Sequence, residues 1–211
     1  MASCSTRAAC WLLTPLSWTN TLAHPPPPPA NLRVCGLFRK THLFDINIPG
    51  KIEFKESATL SAGAQLTCLP TRFGTLAVGI CYDLRFPEMA MIYRDRGADL
   101  LIYPGAFNMT TGPLHWQLLQ QARALDNQLF VASCSPARDE SGPYVAWGHS
   151  MVVGPFGEVL GCLGAEEGVL MQQVDFGEVA ERRRNIPIGS QKRSDLYRLV
   201  DVGGSTEKEP P

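Results

Sequence analysis

Between residues 75 and 135 the chain alternates short apolar runs with stretches of helical spacing, and few folds accommodate that alternation. "TLAVGI" (75–80) is an apolar run of strand length. After Cys81, Pro87 supplies a fixed φ suited to the first position of a helix, "EMAMIYRDR" continues it and Gly97 ends it. "ADLLIYPG" (98–105) resumes as a strand. "PLHWQLLQQARALDNQ" (113–128) spaces Leu114, Leu118, Ala122 and Leu125 as a helix does, and "LFVASCS" (129–135) is a strand again. This order predicts an α/β architecture. "AWGHSMVVGPFGEVL" (146–160) reads as two strands around a turn at residues 154–157, "GVLMQQVDF" (168–176) as a further strand, and "GEVAERRRNI" (177–186) as a short charged helix. The later strands predict a mixed sheet.

The charge pattern divides the chain near residue 37. Residues 1–44 hold no acidic residue, and all 20 begin at Asp45. The first segment carries a five-proline run at residues 25–29, which is extended polyproline rather than helix or sheet. Residues 1–36 are therefore expected to be a disordered or atypical extension, with a transit peptide as one alternative, since the segment is Ser/Thr-rich and acid-free. A folded domain is expected over residues 37–200 and a flexible tail over residues 201–211. Basic and acidic residues nearly balance, 19 against 20, so no field of one sign draws the chain to nucleic acid or an anionic membrane. No run reaches the roughly 18 apolar residues of a membrane span. The seven cysteines lack C-x-x-C pairs and zinc-type Cys/His spacing, so no metal is expected and reduced intracellular thiols are.

A cysteine in an apolar run is usually a small core hydrophobe, and Cys68, Cys134 and Cys162 read that way. Cys81 stands instead at the carboxyl end of a strand just before a helix, where α/β sheets open their ligand crevices. There the Tyr82 N–H faces a potential oxyanion, and Arg85 favours thiolate. Core hydrophobe and nucleophile both remain open for Cys81 on spacing alone. No G-x-S-x-G, Walker A or G-x-G-x-x-G motif is present. His115 and His149 read as structural histidines, and the Asn108 sequon is discounted because the thiols read as those of an intracellular protein.

"FRKTHLFDINIPGK", "GICYDLRFPE", "IYPGAFNMTTGPLHWQLLQQARALDNQLFVASCSPARD" and "AWGHSMVVGPFGEVL" together resemble the nitrilase superfamily of carbon–nitrogen hydrolases, and most closely its omega-amidase branch. The resemblance runs from about Phe38 to Tyr197. It implies an α-β-β-α sandwich, incomplete here at its N-terminal side, that usually dimerises. It also implies a thiol mechanism without cofactor or metal, releasing ammonia from 2-oxo dicarboxylate monoamides such as 2-oxoglutaramate and 2-oxosuccinamate. Cys81 matches the nucleophile, Lys40 the oxyanion stabiliser and Glu56 a supporting carboxylate. Tyr82, Arg85, Phe107 and Thr111 match substrate-binding positions, Arg85 gripping the carboxylate end. Without the family context, Arg85 would pair with Asp83 or Glu88 on its own helix. "HLFDINIPG" resembles a loop that closes over the site. A cytoplasmic homo-oligomer in glutamine and asparagine metabolism is implied, with a mitochondrial location as the alternative.

One departure stands out. No residue matches the family's general-base glutamate, because none of the 39 residues before Lys40 is acidic. Asp45, Glu56 and Asp83 are the nearest substitutes, and loss of general acid–base assistance costs about 10² to 10⁴ in rate. Two expectations follow: an amidase by descent, as an incomplete form of one, or a catalytically disabled fragment that associates with a complete subunit.

Overall fold

The computed structural model describes residues 34–49 and 52–203. The chain divides into residues 1–35 and residues 36–211. Of the first unit only Val34 and Cys35 are described. The expected extension and targeting segment therefore fall almost wholly outside the described residues, as does the tail from residue 204.

In the second unit, β1 (Asp45–Ile48) and β2 (Ile52–Lys55) pair as an antiparallel hairpin. Six further strands form one sheet in the order β3-β4-β5-β6-β7-β8, so each lies beside its neighbour in sequence. β4 (Thr75–Val78), β5 (Leu100–Pro104) and β6 (Phe130–Cys134) run parallel. β3 (Cys68–Pro70), β7 (Met151–Val153) and β8 (Val159–Cys162) are antiparallel to their neighbours, giving the mixed sheet expected from the sequence. The register sets Val78 beside Ile102 and Ile102 beside Ala132, so the three parallel strands end at one edge. Cys81 leaves the sheet there.

Two helices cover the sheet, α1 (Pro87–Asp95) and α2 (Gly112–Asn127), packed against each other. The core joins Ala77, Leu101, Tyr103 and Val131 of the strands to Leu84, Met89, Tyr93, Trp116 and Ala124. α3 (Gly177–Asn185) secures the starts of β5 and β6: Arg183 donates to the Ala98 carbonyl at 2.8 Å and Gln128 to that of Ile186 at 2.7 Å. Beyond it, Arg96 grips Asp201 with two hydrogen bonds of 2.6 and 2.8 Å. No described helix is long and apolar enough to cross a membrane.

The buried face of α2 is not its leucine stripe. Leu114, Leu118 and Leu125 are 65, 64 and 51% exposed, whereas Trp116, Gln120, Arg123, Ala124 and Asn127 point inward. Full burial of each leucine would gain about 1.5–3 kcal/mol. Inward placement of polar groups requires partners instead, and Arg123 finds one by donating to the Leu84 carbonyl at 3.0 Å, inside the turn that carries Cys81. The expected strand at residues 168–176 is absent: no described residue of this segment joins a ladder, and Val169 and Met171 are exposed. Alternating apolar residues make a strand only where a partner edge accepts their backbone groups.

Gly105, just past β5, lets two strand ends meet. A Cβ there would lie 2.6 Å from the Cys81 Cα. We expect Gly105→Ala to destabilise the protein by about 1–3 kcal/mol through overpacking. An unchanged urea midpoint would contradict this.

Candidate active site

β4 runs through Gly79 and Ile80 into a 3₁₀ turn at Cys81–Arg85, and Pro87 then starts α1. Cys81 has φ +49°, a left-handed conformation uncommon outside glycine and concentrated at functional turns. Its Sγ donates to the Ala106 carbonyl at 3.5 Å. Burial pushes the thiol above its ordinary value of 9.0. The charges of Lys40 and Arg85 oppose that rise, whereas Glu56 adds to it. Desolvation prevails, so the resting group is a thiol.

Lys40 brings its charge to bear on this sulfur from a segment some forty residues upstream. Its Nζ donates to Glu56 Oε2 at 2.5 Å, and the Phe44 N–H donates to the same oxygen at 2.6 Å. The β1–β2 hairpin folds Glu56 back onto Lys40. What resembled a covering loop is thus partly strand, with Asp45–Ile48 paired to β2. Asp45 turns away from the thiol and accepts from the Ser57 hydroxyl and amide, which hold its carboxyl below the ordinary carboxylate range.

Asp83 fastens the two pieces together. Its carboxylate is fully buried and accepts from the backbone amides of His42 and Ile80, each at 2.8 Å, and of Thr41 at 3.4 Å. His42 Nδ1 adds a contact of 2.8 Å, and its ring stacks on Phe86 at 3.6 Å. Phe44 meets the Tyr82 ring edge-on at 4.9 Å, so Tyr82 packs between Phe44 and Phe86. Neither Asp83 nor Asp45 is available as a substitute base.

Arg85 does not pair with Asp83 or Glu88. Its guanidinium lies 4.6 Å above the buried Phe107 ring, and Nη1 donates to His115 Nδ1 at 3.2 Å. A guanidinium has no acceptor, so His115 Nδ1 must carry the lone pair and its proton sits on Nε2. Among the described residues Arg85 has no carboxylate partner, and burial pushes its pKa down. Thr111 sits at the start of α2 with its hydroxyl committed to Asn108 Oδ1 at 3.0 Å. That amide oxygen also accepts from the Thr110 and Thr111 amides. His149 stacks on Trp147, and its carbonyl accepts from Trp116 at 2.7 Å.

Sequence reasoning missed Tyr144, whose hydroxyl donates to the Ala106 carbonyl at 2.9 Å and lies within reach of the Cys81 charge. A single tyrosine in a long connection carries no periodic signal. A cavity of about 300 Å³ is bordered by Thr41, His42, Phe86 and Glu88 but by none of Lys40, Glu56, Cys81 or Arg85. No group of three or more His, Cys, Asp or Glu among the described residues could hold a metal ion.

A family model described as carbon-nitrogen hydrolase matches residues 28–184. The chain is 61% identical over 164 residues to the chloroplastic omega-amidase of Arabidopsis thaliana, covering 78% of this chain and 44% of that protein. It is 57% identical over 160 residues to omega-amidase NIT2 of Homo sapiens, covering 76% and 58%. Among solved structures it resembles Saccharomyces cerevisiae Nit3, a member of branch 10 of the nitrilase superfamily, with TM-score 0.69 and 43% identity over 76% of this chain and 56% of that one. The C. elegans NitFhit protein gives TM-score 0.75 and 38% identity over 81% and 42%. The chain spans about half the length of the curated relatives it matches.

Removing the Asp83 carboxylate orphans at least the His42 and Ile80 amides, each costing about 1–3 kcal/mol. Asp83→Ala is therefore expected to lower stability by several times the cost of an average surface change, and to slow alkylation or turnover at Cys81 in whatever fraction stays folded. Thermal melts with Asp45→Ala as the exposed control test this. Equal losses in the two variants would refute it.

Proposed function

The chain belongs to the carbon–nitrogen hydrolase family, and from that premise we propose that it is an omega-amidase acting on 2-oxo dicarboxylate monoamides. One observation carries the proposal. The charges of Lys40, Glu56 and Arg85 all reach one buried thiol, and Arg85 has no carboxylate partner among the described residues. The two curated relatives described above are both omega-amidases.

In this mechanism the Cys81 sulfur attacks the amide carbon and the C=O becomes a tetrahedral oxyanion. Lys40 and the backbone N–H of Tyr82 stabilise that oxygen. Glu56 holds Lys40 in place through Oε2. The carbon–nitrogen bond then breaks, the thiol proton ends on the departing nitrogen, and ammonia leaves a thioester. Water attacks the thioester, releases the 2-oxo dicarboxylate and restores the thiol. Arg85 binds the far carboxylate, a role suited to a desolvated guanidinium with unused donors. Phe107 supports that guanidinium from below, and Thr111 lines the same end.

Association into a homo-oligomer is part of the proposal, supported by the exposed leucines of α2. A cytoplasmic location, with mitochondria as the alternative, is supported by the five free cysteines among the described residues. A second reading, a non-catalytic subunit, has one observation in its favour. Glu56 is the only carboxylate among the described residues acting on the Cys81 thiol, and its Oε2 is already shared by Lys40 and Phe44.

Ammonia release from 2-oxoglutaramate by the purified chain tests both. We expect turnover that Cys81→Ala abolishes and that Lys40→Ala reduces by about 10²–10³. Arg85→Ala is expected to raise KM by about 10- to 100-fold, the worth of a charge-assisted hydrogen bond, with a smaller effect on kcat. A folded chain that releases no ammonia supports the second reading.

A further inference from the structure

The Ala106 carbonyl receives two donors at once, the Cys81 thiol at 3.5 Å and the Tyr144 hydroxyl at 2.9 Å. One carbonyl oxygen has two lone pairs, so the bonds are compatible, but they are unequal: the O–H is an ordinary donor and the S–H a weak one at long range. The connection that carries Tyr144 is secured without it. Trp147 N donates to the Phe107 carbonyl at 2.7 Å, Ala146 bridges to Asn108, and Arg138 donates to the carbonyl of Trp147 at 2.9 Å with its guanidinium over that indole. The half-exposed Tyr144 ring is thus carried to the nucleophile by a frame that does not need its hydroxyl.

When Cys81 loses its proton, the sulfur stops donating to Ala106 and its new charge faces the carbonyl lone pairs. A second donor on that oxygen reduces this repulsion. Burial, with the Cys81 charge second, pushes the Tyr144 phenol up to about 12. The hydroxyl therefore stays protonated while the thiol ionises.

We propose that Tyr144 is a positioning residue for the nucleophile: by occupying the Ala106 oxygen, its hydroxyl weakens that carbonyl's hold on the thiol proton and shields the thiolate from it. The proposal rests on Cys81 being the nucleophile. The other groups acting on the sulfur, Lys40, Arg85 and Glu56, are untouched when Tyr144 is changed.

Alkylation by iodoacetamide measures the thiolate directly. The sulfur forms a bond to the methylene carbon, iodide leaves, and the thiol proton passes to the buffer. Rates are read across pH by mass spectrometry of the peptide containing Cys81, with the exposed Cys162 as internal reference. Tyr144→Phe is expected to move the Cys81 midpoint up by about half to one pH unit, slowing alkylation about three- to tenfold below it, with the high-pH plateau and Cys162 unchanged. 3-Fluorotyrosine placed at 144, a stronger donor of nearly the same size, is expected to move it down. Superimposable profiles, or a lowered plateau with the midpoint in place, overturn the proposal. If Tyr144→Phe does not fold, an unmoved midpoint with fluorotyrosine overturns it alone. Amide turnover plays no part in this readout, so absence of ammonia release counts against the proposed function and leaves the Tyr144 result to be judged separately.

Discussion

The buried Asp83 carboxylate holds two distant pieces of backbone at one point, and the rest of the site is arranged around that point. Charge taken out of water is costly unless it is paired and fully hydrogen-bonded. Asp83 meets that condition with donors from both sides: the Ile80 amide three residues before it, and the Thr41 and His42 amides some forty residues away. A hydrophobic residue could fill the space but not satisfy those amides. The segment that brings Lys40 and the turn that brings Cys81 are thereby joined by hydrogen bonds with direction, not only by apolar contact.

Around the thiol the forces oppose one another. Desolvation favours the neutral form, two cations favour the thiolate, and the nearby carboxylate disfavours it. Burial wins at rest, which protects the sulfur from adventitious chemistry and leaves its activation to groups that act once an amide is in place. Lys40 is suited to a double duty, since an ammonium has three donors and Glu56 takes only one in the contact seen. Arg85 is held differently. An aromatic face and a neutral imidazole orient it without neutralising it, so its charge remains available.

The strand-turn-helix at residues 75–97 was legible because each signal was local: an apolar run, a proline at a helix start, a glycine at its end. The position of Cys81 followed from it. Other features depended on long-range pairing. The alternation at residues 168–176 looked like a strand, but no edge receives it. The leucines of α2 had helical spacing, yet the opposite face is buried because Trp116 and Arg123 have partners inside. Helical spacing also suggested that Arg85 would pair along its own helix, whereas Asp83 points into the core. Tyr144 carried no local signal at all, and its role depends on a carbonyl 38 residues earlier in the chain.

Sheet order that follows chain order has a consequence for how this protein is made. As the polypeptide leaves the ribosome, each strand from β4 to β8 finds its partner already present, so the sheet grows by addition at one edge and needs no threading. The Asp83 junction, spanning 41 residues, forms early in that sequence. The Arg96–Asp201 pair spans 105 and cannot close until nearly all of the described chain has been synthesised. Nascent molecules thus assemble the chemistry first and fasten the final turns of backbone around it last.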